Sequence, residues 1–102
     1  MILTIKDRIY LLGLLPKESN FITLKIVRKL ENDLGFSEDE IKKANIRSEN
    51  NSIFWDEKKI DNKNIEIGEK ATDIIIERLK ELSNEKKLSI DMIELYEKFI
   101  KE

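Results

Sequence analysis

Residues 65–82, IEIGEKATDIIIERLKEL, decide how this chain folds. Ile65 and Ile67 alternate with polar residues, as a half-buried strand does, and the pattern then passes through Gly68 into helical spacing. On a helical wheel Ala71, Ile74, Ile75, Leu79 and Leu82 form one broad apolar face, with Ile76 on its flank. A helix so apolar needs neighbours on more than one side, and is expected at the centre of the fold. Arg78 falls inside that face, between the directions of Ala71 and Ile74. Its guanidinium must therefore snorkel to the rim or find a carboxylate, with contact to an anionic ligand as the functional alternative.

Downstream, residues 84–87 read as a polar turn, after which Ser89 is expected to cap a last helix over 90–100, with Leu88 and Ile93 as its hydrophobic staple. Met92, Ile93, Leu95, Tyr96, Phe99 and Ile100 take one side of that helix; Asp91, Glu94, Glu97, Lys98 and Lys101 take the other. The apolar side should dock on the core. If the core closes without it, the same side becomes a dimer or partner surface.

Upstream, residues 57–63, EKKIDNK, read as a mobile loop, and 64–68 as a third short strand following a hairpin, NIRSENNSIFWD. Asn50-Asn51 tolerates the positive φ values of a two-residue turn, which sets Ile46 opposite Trp55 and Arg47 opposite Phe54. With Ile46, Ile53 and Trp55 turned to the core, Phe54 lies on the outer face beside Arg47. This pair is the candidate partner contact, unless a later segment covers it.

The remaining helices announce themselves by their ends. The first is predicted over 5–15, capped by Thr4 and stopped by Pro16; apolar residues cover it so widely that mainly Lys6 and Arg8 are left to meet water. The second spans about 21–34, with Ile22, Leu24, Ile26, Val27, Leu30 and Leu34 facing inward and Gly35 in the place where a left-handed residue often ends a helix. Lys25, Arg28 and Lys29 share its opposite face. They form the most concentrated basic stripe in the chain, either a solvated face or a contact for phosphate or an acidic partner. The third helix opens with a capping box, Ser37-Glu38-Asp39-Glu40, stapled by Phe36 and Ile41, and ends near Ala44. The acidic triplet sits at the positive end of that helix's dipole, which accounts for it without a metal.

The expected fold is α+β and mainly helical: about five helices in one compact domain over 1–102, with a three-stranded antiparallel meander between helices three and four. With 102 residues, 40% of them apolar, the chain can bury a core without crosslinks. It has no cysteine and no histidine, which rules out disulfides, Cys/His zinc sites, cysteine nucleophiles and Ser-His-Asp triads. No cofactor motif is present, and no pair of carboxylates, lysines or tyrosines stands out for acid–base work. The longest apolar run, 9–15, is far below the roughly 18 residues of a membrane span, and no signal peptide is apparent, so a cytoplasmic location is expected. Charged residues make up 39% of the chain and nearly cancel, at net −2, which disfavours general binding to nucleic acid.

Two stretches, YLLGLLPKESNFITLKIVRKL and EIGEKATDIIIERLKEL followed by LYEKFI, with FSEDE and FWD between them, resemble small uncharacterised proteins of bacteriophages and prophages of low-GC Gram-positive bacteria. That resemblance implies a mobile-element origin and carries over no site residue. Separately, three helices followed by a hairpin over 5–56 is the order of a winged-helix DNA-binding domain. Lys42, Lys43 and Arg47 favour DNA there, but Glu38, Asp39 and Glu40 would approach phosphates. The expected function is a non-enzymatic interaction module of a phage or prophage, acting as adaptor, assembly factor or inhibitor of a host protein, through a protein partner or a second copy of itself. The alternatives are a DNA-binding regulator and an anti-defence protein that sequesters a nucleotide signal.

Overall fold

The computed structural model describes residues 1–56 and 61–100. In chain order its elements are β1 (Ile2–Leu3), α1 (Ile5–Leu14), α2 (Phe21–Leu34), α3 (Glu38–Ala44), β2 (Arg47–Glu49), β3 (Ser52–Phe54), β4 (Lys63–Asn64), α4 (Glu69–Asn84), a 3-10 turn (Ile90–Met92) and α5 (Ile93–Phe99). The fold is α+β and mainly helical, as the periodicity predicts.

α4 packs against α1, α2 and α5. Its Ala71, Ile75 and Leu79 are buried, with Ile74, Ile76 and Leu82 half-buried around them. Leu11, Leu14 and Leu15 come in from α1 and its end, Val27, Leu30 and Leu34 from α2, and Met92 and Leu95 from the C-terminal segment. Each such aliphatic side chain contributes about 1.5–3 kcal/mol by leaving water. Ile22 does not join them. The buried stripe of α2 follows Val27, Leu30 and Leu34, and at about 100° per residue Ile22 lies about a third of a turn off it, so that it is 68% exposed.

Helix starts follow the local code closely. Thr4 Oγ1 accepts from the Asp7 amide at 3.0 Å while Asp7 Oδ2 accepts from the Thr4 amide at 3.1 Å, a complete capping box for α1. Ser37 and Glu40 do the same for α3, at 3.1 and 3.0 Å. Helix ends are less regular. Gly35 caps α2 with φ −61 and ψ 161, in extended rather than left-handed backbone. The left-handed C-cap belongs instead to Asn45, φ 50, which closes α3 and turns the chain into the hairpin.

The strands form two separate two-stranded antiparallel sheets and not one meander. β2 and β3 pair as the Asn50-Asn51 turn dictates, with φ 50 and 64 at the two asparagines and Arg47 opposite Phe54. β4 leaves the hairpin and pairs with β1, Ile2 opposite Asn64 and Leu3 opposite Lys63; the Ile65 amide extends the ladder to the Met1 carbonyl at 2.9 Å. The physical reason lies in burial: this pairing brings both Leu3 and Ile65 into the core. A two-residue strand has too few side chains to show a period, so β1 leaves no mark in the sequence. The loop expected over 57–63 falls in part on 57–60, outside the described residues.

The last helix also departs from expectation. It begins as the 3-10 turn Ile90–Met92, and Ser89 precedes it without a side-chain cap. That tighter winding rotates Ile93 out to solvent, away from the staple with Leu88. Lys98, expected to face water, is half-buried against Asp7.

Candidate functional site

Arg8, expected in solvent, is 1% exposed. Its Nε donates to the Leu34 carbonyl at 3.0 Å and one Nη to the Gly35 carbonyl at 2.6 Å, while the two Nη atoms grip Glu40 at 2.8 and 3.3 Å. Four of the five guanidinium N–H groups are thereby used. The flat cation also lies over the Phe36 ring, 4.0 Å from its centre. One side chain of α1 thus satisfies the orphan carbonyls at the end of α2 and anchors the first turn of α3. The Arg8 guanidinium holds the Glu40 carboxyl down at about 2, well below its usual 4.5, and the Ser37 amide adds to the effect while burial opposes it. This cluster is a structural junction: its ions satisfy one another.

Could the sequence have shown it? Arg8 stands three and seven residues before Leu11 and Leu15, on the same helical stripe as those buried leucines. With apolar residues nearly all round the helix, however, the wheel favours no side, and a charged residue defaults to solvent. Asp7 was hidden in the same way. Buried beside Arg8, it completes the α1 capping box and pairs with Lys98 of α5, whose Nζ also donates to the Ile2 carbonyl at 3.3 Å.

Arg78 resolves as the helical wheel requires. Its Nε donates to the Leu14 carbonyl at 2.9 Å, at the end of α1, and an Nη binds Glu81 one turn along α4. It lies on the wall of a shallow groove of about 650 Å³ between the 16–20 linker and α4, together with Thr23, Ile74 and Glu77. Its ion pair and helix-end bond tie the end of α1 to α4.

Of the candidate contact residues, the structure brings Arg47 and Phe54 together: the guanidinium lies 5.7 Å from the ring centre. Arg47 also donates to the Asn45 carbonyl at 3.0 Å, meets Glu49 at 3.3 Å, and has Asp56 at 4.0 Å. The hairpin is tied to the body at its base, where the Asp56 amide donates to the Ala44 carbonyl at 2.7 Å. Beyond that base it outruns the core. Phe54 is 43% exposed, and Ile53, expected to face inward with the half-buried Ile46 and Trp55, is exposed on the other face.

Lys25, Arg28 and Lys29 are exposed along α2. Lys29 pairs with Asp33 at 3.2 Å, and the Lys25 ammonium lies 5.5 Å from the centre of the Phe21 ring. Lys42 and Lys43 stand on α3, where Lys43 meets Asp39 at 3.1 Å. The cations favourable to DNA are therefore spread over α2, α3 and β2, and several are already paired with carboxylates. Among the described residues no cluster of three acidic side chains is placed to hold a metal ion, and no helix is long and apolar enough to cross a membrane.

Comparison with known proteins finds no matching family model, no similar curated protein and no similar solved structure.

Proposed function

We propose that the chain is a small non-enzymatic interaction module of a phage or prophage, an adaptor, assembly factor or host-protein inhibitor working in the cytoplasm, with the β2–β3 hairpin as its contact surface. One observation carries this: a two-stranded hairpin stands beyond the core with Ile53 about half-exposed on one face and Phe54 about half-exposed on the other, Phe54 under Arg47. Exposed aromatic and arginine side chains contribute disproportionately when an interface closes over them, because both offer large area with few rotors to freeze. A two-stranded sheet also keeps edges able to accept a further strand.

A photo-crosslinking residue in place of Phe54, with a control in place of the exposed Lys80 on α4, tests the reading in low-GC Gram-positive cells. A single discrete adduct from position 54, weakened by Arg47→Glu and missing from position 80, is the expected result. Position 54 giving nothing, or both positions giving the same adducts, would remove the hairpin from consideration. The DNA-binding alternative rests on the order α1, α2, α3, hairpin. It is less well supported, because Glu38 and Asp39 are exposed at the start of α3.

A further inference from the structure

Among the described residues, α2 and the C-terminal segment each turn an exposed face to solvent, and the faces match. On α2 the outward face opens with Phe21 and Ile22, 74% and 68% exposed, and continues with Lys25, Arg28 and Lys29. Glu31 and Asp33 stand only on its flanks. On the C-terminal segment the outward face opens with Ile90, 86% exposed, and Ile93, and continues with Glu94 and Glu97. Each face begins with an apolar pair and, among the described residues, runs on into exposed charges mainly of one sign, positive on α2, where Lys29 also meets Asp33, and negative on α5.

We propose that the α2 face of one copy docks on the 3-10 turn and α5 face of a second copy, the two helices running side by side in the same direction. At about 1.5 Å per residue, setting Phe21 and Ile22 against Ile90 and Ile93 brings Glu94 beside Lys25 and Glu97 beside Arg28 and Lys29. Burial of the four apolar side chains drives the contact, and the charges fix its direction and register. The two faces cannot meet within one chain, because α2 and α5 each pack on α4 and turn these sides outward. Every copy therefore offers one face of each kind, and association either closes as a two-fold pair through both contacts or runs head to tail into a ring or a chain. A single pair of short helices buries an area at the small end of protein interfaces, so association is weak and weakens further with salt. The contact lies apart from the hairpin and stands independently of the function proposed above.

Sedimentation of the purified chain over a range of concentrations, at low and at high salt, provides the test. The wild type should show concentration-dependent association at low salt that high salt suppresses. Lys25→Glu with Arg28→Glu should abolish it, and so should Glu94→Lys with Glu97→Lys; all four changes in one chain should restore it. These residues are exposed, and circular dichroism melts serve as the check that each variant folds. A wild type that stays monomeric at every concentration would overturn the proposal, as would charge reversals without effect or a fourfold variant that fails to recover. Retention of a DNA duplex by the monomer, lost in Lys25→Glu/Arg28→Glu, would reassign the α2 face to a polyanion and overturn it as well.

Discussion

Arg8 with Phe36 and Arg47 with Phe54 are the same chemical pair in two settings. In each an arginine lies over a phenylalanine ring and meets a carboxylate and a backbone carbonyl. The first pair sits 4.0 Å apart with water excluded from the cation; the second sits 5.7 Å apart at an open surface. Burial raises the stake of every bond in the first, since a lost partner there cannot be replaced by solvent. In the second, water stands ready to substitute. One pair therefore holds three helices together, while the other stays at the surface of the hairpin.

Removing the buried cation should separate the two cases most sharply. Arg8→Met is expected to destabilise the fold by about 3–5 kcal/mol, a large part of a small domain's stability, because Glu40 and two helix-end carbonyls lose their donor together. Urea denaturation measures this. Arg8→Lys should recover little of it, since an ammonium cannot span the fork.

Next in size is Glu40→Gln, which should cost about 2 kcal/mol near neutral pH after allowance for screening at the carboxylate's open edge. Glu40's folded value lies below its unfolded one, so its contribution is complete above about 4.5 and fades as pH falls toward about 2. The stability gap between wild type and Glu40→Gln should therefore close over that interval. A gap unchanged at low pH would show that the ion pair is not its source.

Arg78→Met, which takes a donor from the end of α1 at a partly exposed site, should cost about 1 kcal/mol in the same denaturation experiment. The smallest effect belongs to the hairpin. Phe54→Ala and Arg47→Ala should each change stability by no more than about 0.5 kcal/mol. A loss at Phe54 comparable to that at Arg8 would mean the two settings do not differ as described.

Where the chain's signals were short, they were readable. Thr4 with Asp7 and Ser37 with Glu40 each act across three residues, and Asn50-Asn51 sets its own register. The dominance of α4 was also legible, because five apolar side chains on one face admit few arrangements. The candidate contact was half legible: the Arg47–Phe54 pairing followed from turn geometry, but the exposure of Ile53 depended on where the core ended. The exposure of Phe21, and of Ile22 where an inward position is expected, was illegible for a similar reason, since no periodicity tells which turn of an amphipathic helix overhangs its support.

By itself the amino-acid sequence determined where the first four helices begin, how the hairpin turns and which helix lies at the centre, since these follow from side chains within a few positions of one another. Tertiary structure alone decided that β1 pairs with β4, and that Arg8 leaves solvent for partners 26 and 32 residues away. A guanidinium on a helix apolar nearly all round has no local reason to choose a direction. Only the meeting of α1 with the end of α2 and the start of α3 creates the acceptors that make its burial favourable.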